Sequence, residues 1–93
     1  MNFNVIIQES VIEDKDLLKA KQKDLVLYND DVNTFDFVSE TLITVCGHDS
    51  IQAEQCTYIV HYNGKCSVKK GSYKNLIPLC LQLLDLGLSA KIE

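Results

Sequence analysis

Three acceptor-rich side chains stand in a row at Asn29, Asp30 and Asp31, and a histidine, His61, follows further along the chain. Four readings of that oxygen are open. Calcium is the first: counted from Asn29, the side chains of Asn29, Asp31 and Asn33, with Glu40 at the twelfth position, imitate a calcium-binding loop. The imitation breaks at the sixth position, where Thr34 replaces the glycine of the sharp turn, and upstream, where LVLY reads as a strand rather than a helix. Catalysis is the second, with Asp30 and Asp31 as paired carboxylates and His61 carrying the proton. Adjacent residues at a strand end point apart, and nothing supplies an oxyanion hole or a cofactor loop, so no enzyme and no cofactor is expected. Third, acceptors gathered at the mouth of an apolar hollow suit a cation with several N–H donors, above all an ammonium group. A neutral His61 imidazole would add one more acceptor, directly or through water. The fourth is purely structural: Asp30 and Asp31 solvated in a turn, Asn29 bonded to its own backbone, His61 an ordinary helix-end residue.

Composition narrows the partners. All nine basic residues are lysine and the net charge is -4, so the planar guanidinium forks that read phosphates and base edges are absent and nucleic acid is excluded. No basic start leads into a long apolar run, and LIPLCLQLLDLGL is interrupted by Pro78, Gln82 and Asp85; neither a leader nor a membrane span is expected, and the cytoplasm is the expected compartment. Cys46, Cys56, Cys66 and Cys80 form no CxxC pair and fall mostly in apolar segments, as small buried hydrophobes do. A zinc site from Cys46, His48 and a distant partner lacks ligand spacing.

The elements that must position these residues follow from pattern. With 93 residues the chain holds one small domain. Residues 1–24 end in the charge-dense EDKDLLKAKQKD and are expected to be a mobile extension, with the folded domain covering 25–93. LVLY is a strand ended by NDDVN. A first helix is predicted from Asn33 as cap, answered by Asp36, with Phe35, Val38, Leu42 and Val45 as its apolar stripe and Gly47 closing it. A second opens at Asp49 with Gln52, presents Cys56, Ile59 and Val60 inward, and ends near His61 and Asn63-Gly64. KCSVKKGSY reads as a polar strand and turn. A third helix spans about Lys74 to Asp85, with Pro78 restricted to an early turn, Gly87 stops it, and LSAKIE alternates as a last strand. The predicted fold is α+β, a small three-stranded antiparallel sheet with three helices packed on one face.

NDDVNTFDFVSETL followed by AEQCTYIVHYNGK resembles the ClpS family, the adaptors that carry N-degron (N-end rule) substrates to the ATP-dependent Clp protease. Asn29-Asp30-Asp31, Phe37-Val38, Ala53, Val60-His61 and Gly64-Lys65 match the family pattern in order and spacing, over about residues 25–93. The resemblance implies the fold of that family, which is like the C-terminal domain of the ribosomal stalk protein. By residue-to-residue matching it places the ligands of the substrate's free α-amino group on Asn29, Asp30 and His61. The hydrophobic pocket for the first side chain falls on Asn33, Phe35, Val38, Thr57, Val60 and Leu88. It further implies a monomer that pairs with the N-terminal domain of an AAA+ Clp unfoldase of the ClpA or ClpC type, with the extension helping to engage that unfoldase. Phe35 and Thr57 stand where the family has methionines, Thr34 where it has proline, and the segment Val68 to Asp85 is shorter and contains Pro78. With Phe35 closing the pocket, the domain would instead be a Clp-associated regulator or an interaction module without degron binding.

Overall fold

The computed structural model of the chain describes residues 21–93, and the expectation of a mobile extension lies almost wholly outside them. Its central element is strand β1 (Gln22–Tyr28), flanked by β2 (Lys65–Ser72) and β3 (Ser89–Ile92), both antiparallel to it. Being central, β1 buries three successive residues, Leu25, Val26 and Leu27, where an edge strand would alternate. It starts earlier than expected, since Gln22, Lys23 and Asp24 pair with Ser72, Gly71 and Lys70. These polar residues carry no hydrophobic signal; ladder bonds hold them, with Asp24 exchanging amide and carbonyl with Glu93 at 2.8 Å each and meeting the Lys70 amine at 2.7 Å.

The helices α1 (Phe35–Cys46), α2 (Ser50–Asn63) and α3 (Tyr73–Asp85) complete the predicted α+β order. They cover the sheet face that carries Leu25 and Leu27. Against these pack Leu42 and Cys46, Ala53 and Val60, Leu76, Cys80 and Leu83, and finally Leu88 and Ala90. Each fully buried leucine stabilises the fold by about 1.5–3 kcal/mol relative to exposure. Between Leu25 and Val26 the β1–β2 register slips, leaving Val68 as an extra residue that turns into the core.

Helix ends follow the predicted chemistry in most places. Asp49 accepts from the Gln52 amide at 2.7 Å, and Gly47, Gly64 and Gly87 take φ of 73°, 96° and 89°, where a Cβ would strain the backbone. Helix faces differ from expectation. In α1 only Leu42 of the predicted stripe is fully buried; Val38 and Val45 are half-buried, Phe35 is exposed, and Ser39, Thr41 and Cys46 are inside. In α2 the inner face is Ala53, Thr57 and Val60 rather than Cys56, Ile59 and Val60, a rotation that sets small side chains against α1 and β2 and turns Ile59 outward. Pro78 sits in the second turn of α3, where it cannot donate to the Lys74 carbonyl; both residues face solvent, which leaves the freed acceptor open to water.

All four cysteines are free thiols. Burial, then the adjacent Cys66 thiol, pushes the Cys56 thiol up to about 12. Among the described residues no three His, Cys, Asp or Glu side chains gather as a metal site, and no helix is long and apolar enough to cross a membrane.

Candidate functional site

Past Tyr28 the chain leaves the sheet, and the Asn29 amide donates to the Gly64 carbonyl at 2.9 Å. That bond ties the end of β1 to the end of α2, and so brings Asn29 beside His61 across a long stretch of sequence. Asp30 organises the turn. Its Oδ1 accepts from the amides of Val32 and Asn33, and its Oδ2 from the Asn33 side-chain amide, all at 2.8 Å. Burial alone would raise the Asp30 carboxyl, but the bonds from Asn33 and Val32 together outweigh it and hold the group below its ordinary range.

Asn33 does not cap α1. Its Nδ2 donates both to Asp30 and to the Gly87 carbonyl at 2.9 Å, pinning the turn after β1 to the turn before β3. The cap is Thr34, whose Oγ1 accepts from the Phe37 amide at 3.1 Å. Sequence reasoning missed Thr34, although a threonine three residues before a helical amide is itself a cap signal, because Asn33 carried the same signal one residue earlier.

These elements enclose two adjoining hollows that share part of their lining. The outer one, about 180 Å³, is lined by Asn29, Asn33, Thr34, Phe35, Val38, Thr57, Val60 and His61. The inner one, about 20 Å³, shares Asn29, Asn33, Val38 and Val60 and adds Leu27, Tyr28, Asp30 and Leu88. The structure therefore brings together all nine residues singled out from the sequence: the acceptors Asn29, Asp30 and His61, and the walls Asn33, Phe35, Val38, Thr57, Val60 and Leu88. Leu27 and Tyr28 were not foreseen as lining; Tyr28 is held between the Lys65 and Lys91 amines, which lie 5.9 and 5.7 Å from its ring centre. The Thr57 hydroxyl donates to the Ala53 carbonyl at 2.7 Å and is thereby satisfied within its helix. Phe35 does not plug the hollow. Its ring stands edge-on to Tyr58 with centroids 5.9 Å apart, at the rim. Asp31 is exposed and lines neither hollow.

A larger hollow of about 470 Å³ lies between the α1–α2 turn and β2, lined among others by Cys46, His48, Lys69 and Lys70. Three of its polar side chains are bonded within the fold: His48 Nε2 meets the Val68 carbonyl at 2.7 Å, Lys69 donates to the Cys46 carbonyl at 3.3 Å, and Lys70 pairs with Asp24.

The chain is similar to proteins of one known family. The family model described as ATP-dependent Clp protease adaptor protein ClpS matches residues 19–91. The chain is 32% identical over 98 residues to the ATP-dependent Clp protease adapter protein ClpS of Clostridium acetobutylicum, covering 89% of this chain and 97% of that one. It is 33% identical over 90 residues to the protein of the same name from Campylobacter jejuni, covering 88% and 92%. In fold it is similar to Agrobacterium tumefaciens ClpS2 bound to L-phenylalaninamide, with a TM-score of 0.75 at 22% identity over 78% of this chain and 95% of the other. On the strength of the family match over most of its length, the chain belongs to the ClpS family of ATP-dependent Clp protease adaptors.

Proposed function

We propose that this adaptor captures proteins by a free N-terminal bulky hydrophobic residue and passes them to an AAA+ Clp unfoldase of the ClpA or ClpC type, acting as a monomer in the cytoplasm and without catalysis of its own. The observation that carries the reading is the placement of Asn29, Asp30 and His61 around two adjoining hollows that share Asn29, Asn33, Val38 and Val60. A peptide's terminal amine has a pKa of about 8 and is mostly protonated near neutrality, so it brings three donors. Asp30 Oδ2 holds one internal bond and keeps a lone pair for an ammonium proton; Asn29 offers its side-chain oxygen and neutral His61 one ring nitrogen. Below them, about 180 Å³ is ample for a leucine or phenylalanine side chain, given that a cavity of roughly 150 Å³ holds benzene. Charge-assisted bonds at about 1.5–3 kcal/mol each, with about 2–3 kcal/mol from burying the side chain, exceed the ordering cost by enough for roughly micromolar binding. An open rim at Phe35 favours this over a closed, non-binding pocket. The test is fluorescence anisotropy with a Leu- or Phe-initiated peptide and its N-acetylated twin. Binding of the free peptide alone is the expected result; equal binding of both, or of neither, overturns the reading.

A further inference from the structure

On α2, Thr57 and His61 line the hollow, while Tyr58 and Tyr62 follow them by one residue each, about 100° further around the helix. Both tyrosines are on the surface, at 55% and 69% exposure, and their rings stack with centroids 4.8 Å apart. The stack touches two of the hollow's lining residues: Phe35 stands edge-on to Tyr58 at 5.9 Å, and His61 edge-on to Tyr62 at 5.1 Å. Together with Ile59, and with Gln55 and Asn63 at the ends, the tyrosines line a second hollow of about 370 Å³. Large apolar side chains held outside the core in a rigid, mutually packed row lose little further entropy when covered.

We infer that this aromatic shelf is a subsite for the residue after the substrate's N-terminal one, selecting apolar and aromatic side chains at that second position. The inference rests on the degron reading of the neighbouring hollow. Chain connectivity argues for the occupant: the second residue of a peptide whose first side chain fills that hollow must lie close to it, and Phe35 and His61, which line the hollow, are the residues that touch the shelf. The second Cα lies only ~3.8 Å from the first. A side chain there covers the Tyr58 and Tyr62 ring faces, whereas glycine leaves them wet.

Anisotropy with Leu-Phe and Leu-Gly peptides, each free and N-acetylated, tests this on the full chain and on Tyr58→Ala and Tyr58→Phe. The expected result is that the full chain binds free Leu-Phe roughly fivefold to tenfold more tightly than free Leu-Gly. Tyr58→Ala removes that preference while leaving Leu-Gly affinity in place, and Tyr58→Phe retains it. If free and acetylated peptides are distinguished but the second residue makes no difference, the shelf is refuted and the degron reading stands. If free and acetylated peptides are not distinguished, the degron reading falls and the subsite with it. Equal losses for Leu-Phe and Leu-Gly in Tyr58→Ala would assign Tyr58 to the first pocket and overturn the subsite; unchanged melting of the variant separates these outcomes from misfolding.

Discussion

His48 and His61 sit at opposite ends of α2 and are used in opposite ways. His48, in the α1–α2 turn, is buried; its Nε2 must carry the proton, since the Val68 carbonyl 2.7 Å away can only accept. Its Nδ1 is buried with no hydrogen-bond partner among the described residues, a cost tolerated because the ring clamps the helical turn to the bulge in β2. His61 is exposed, and among the described residues no hydrogen bond engages its ring, which lines a hollow together with Asn29. The same contrast separates the two hollows. The one near His48 is larger, yet its lysines and its histidine already serve the fold, whereas the smaller one gathers acceptors with capacity to spare. Volume does not make a site; polar groups with unused capacity, converging on apolar walls, do.

The contrast can be broken by substitution. Asp30→Ala should have the largest effect, weakening binding of a free Leu-initiated peptide by at least ~1.5 kcal/mol, because it deletes the one formal counter-charge and three internal bonds; unchanged affinity would remove Asp30 from the site. His48→Ala should cost about 2 kcal/mol of stability in urea unfolding, through a buried void and an unpaired Val68 carbonyl, with peptide affinity unchanged. A stable His48→Ala protein with impaired binding would reverse the assignment of the two histidines. His61→Ala should do the opposite, lowering affinity by about 1.5 kcal/mol with the melting temperature little altered.

The acid end of the pH scale sharpens the role of Asp30. Its carboxyl is held below the ordinary range when folded, so its contribution is complete above the unfolded-state value and is lost as pH falls through the lower folded value. The stability gap between the natural chain and Asp30→Asn, measured by urea unfolding across pH, should therefore close in acid. A gap that stays constant would mean that the charge of Asp30 is irrelevant to the turn.

Much of this was readable locally. The Asp49-x-x-Gln52 start and the glycines at 47, 64 and 87 act within one helical turn, so chain-neighbour chemistry suffices to place them. The α1 cap was misplaced by one residue because the Asn33 side chain is drawn away by the Gly87 carbonyl, a partner at the other end of the domain. The inner face of α2 was misassigned because Ile59 looks like a core residue and Thr57 does not. Its real orientation is set by close packing on α1 and β2, which no window of the α2 sequence contains.

By itself, then, the sequence determined the order of the elements, the start of α2 and the glycine stops, the absence of arginine and of any CxxC pair, and, through the Asn29–Asp31 and Val60–His61 motifs, the family. Only the tertiary structure decided that Phe35 stands at the rim, that Asn33 staples two turns, and that Tyr58 and Tyr62 form a surface row. Each depends on where elements remote in sequence come to rest, and that position is a result of packing.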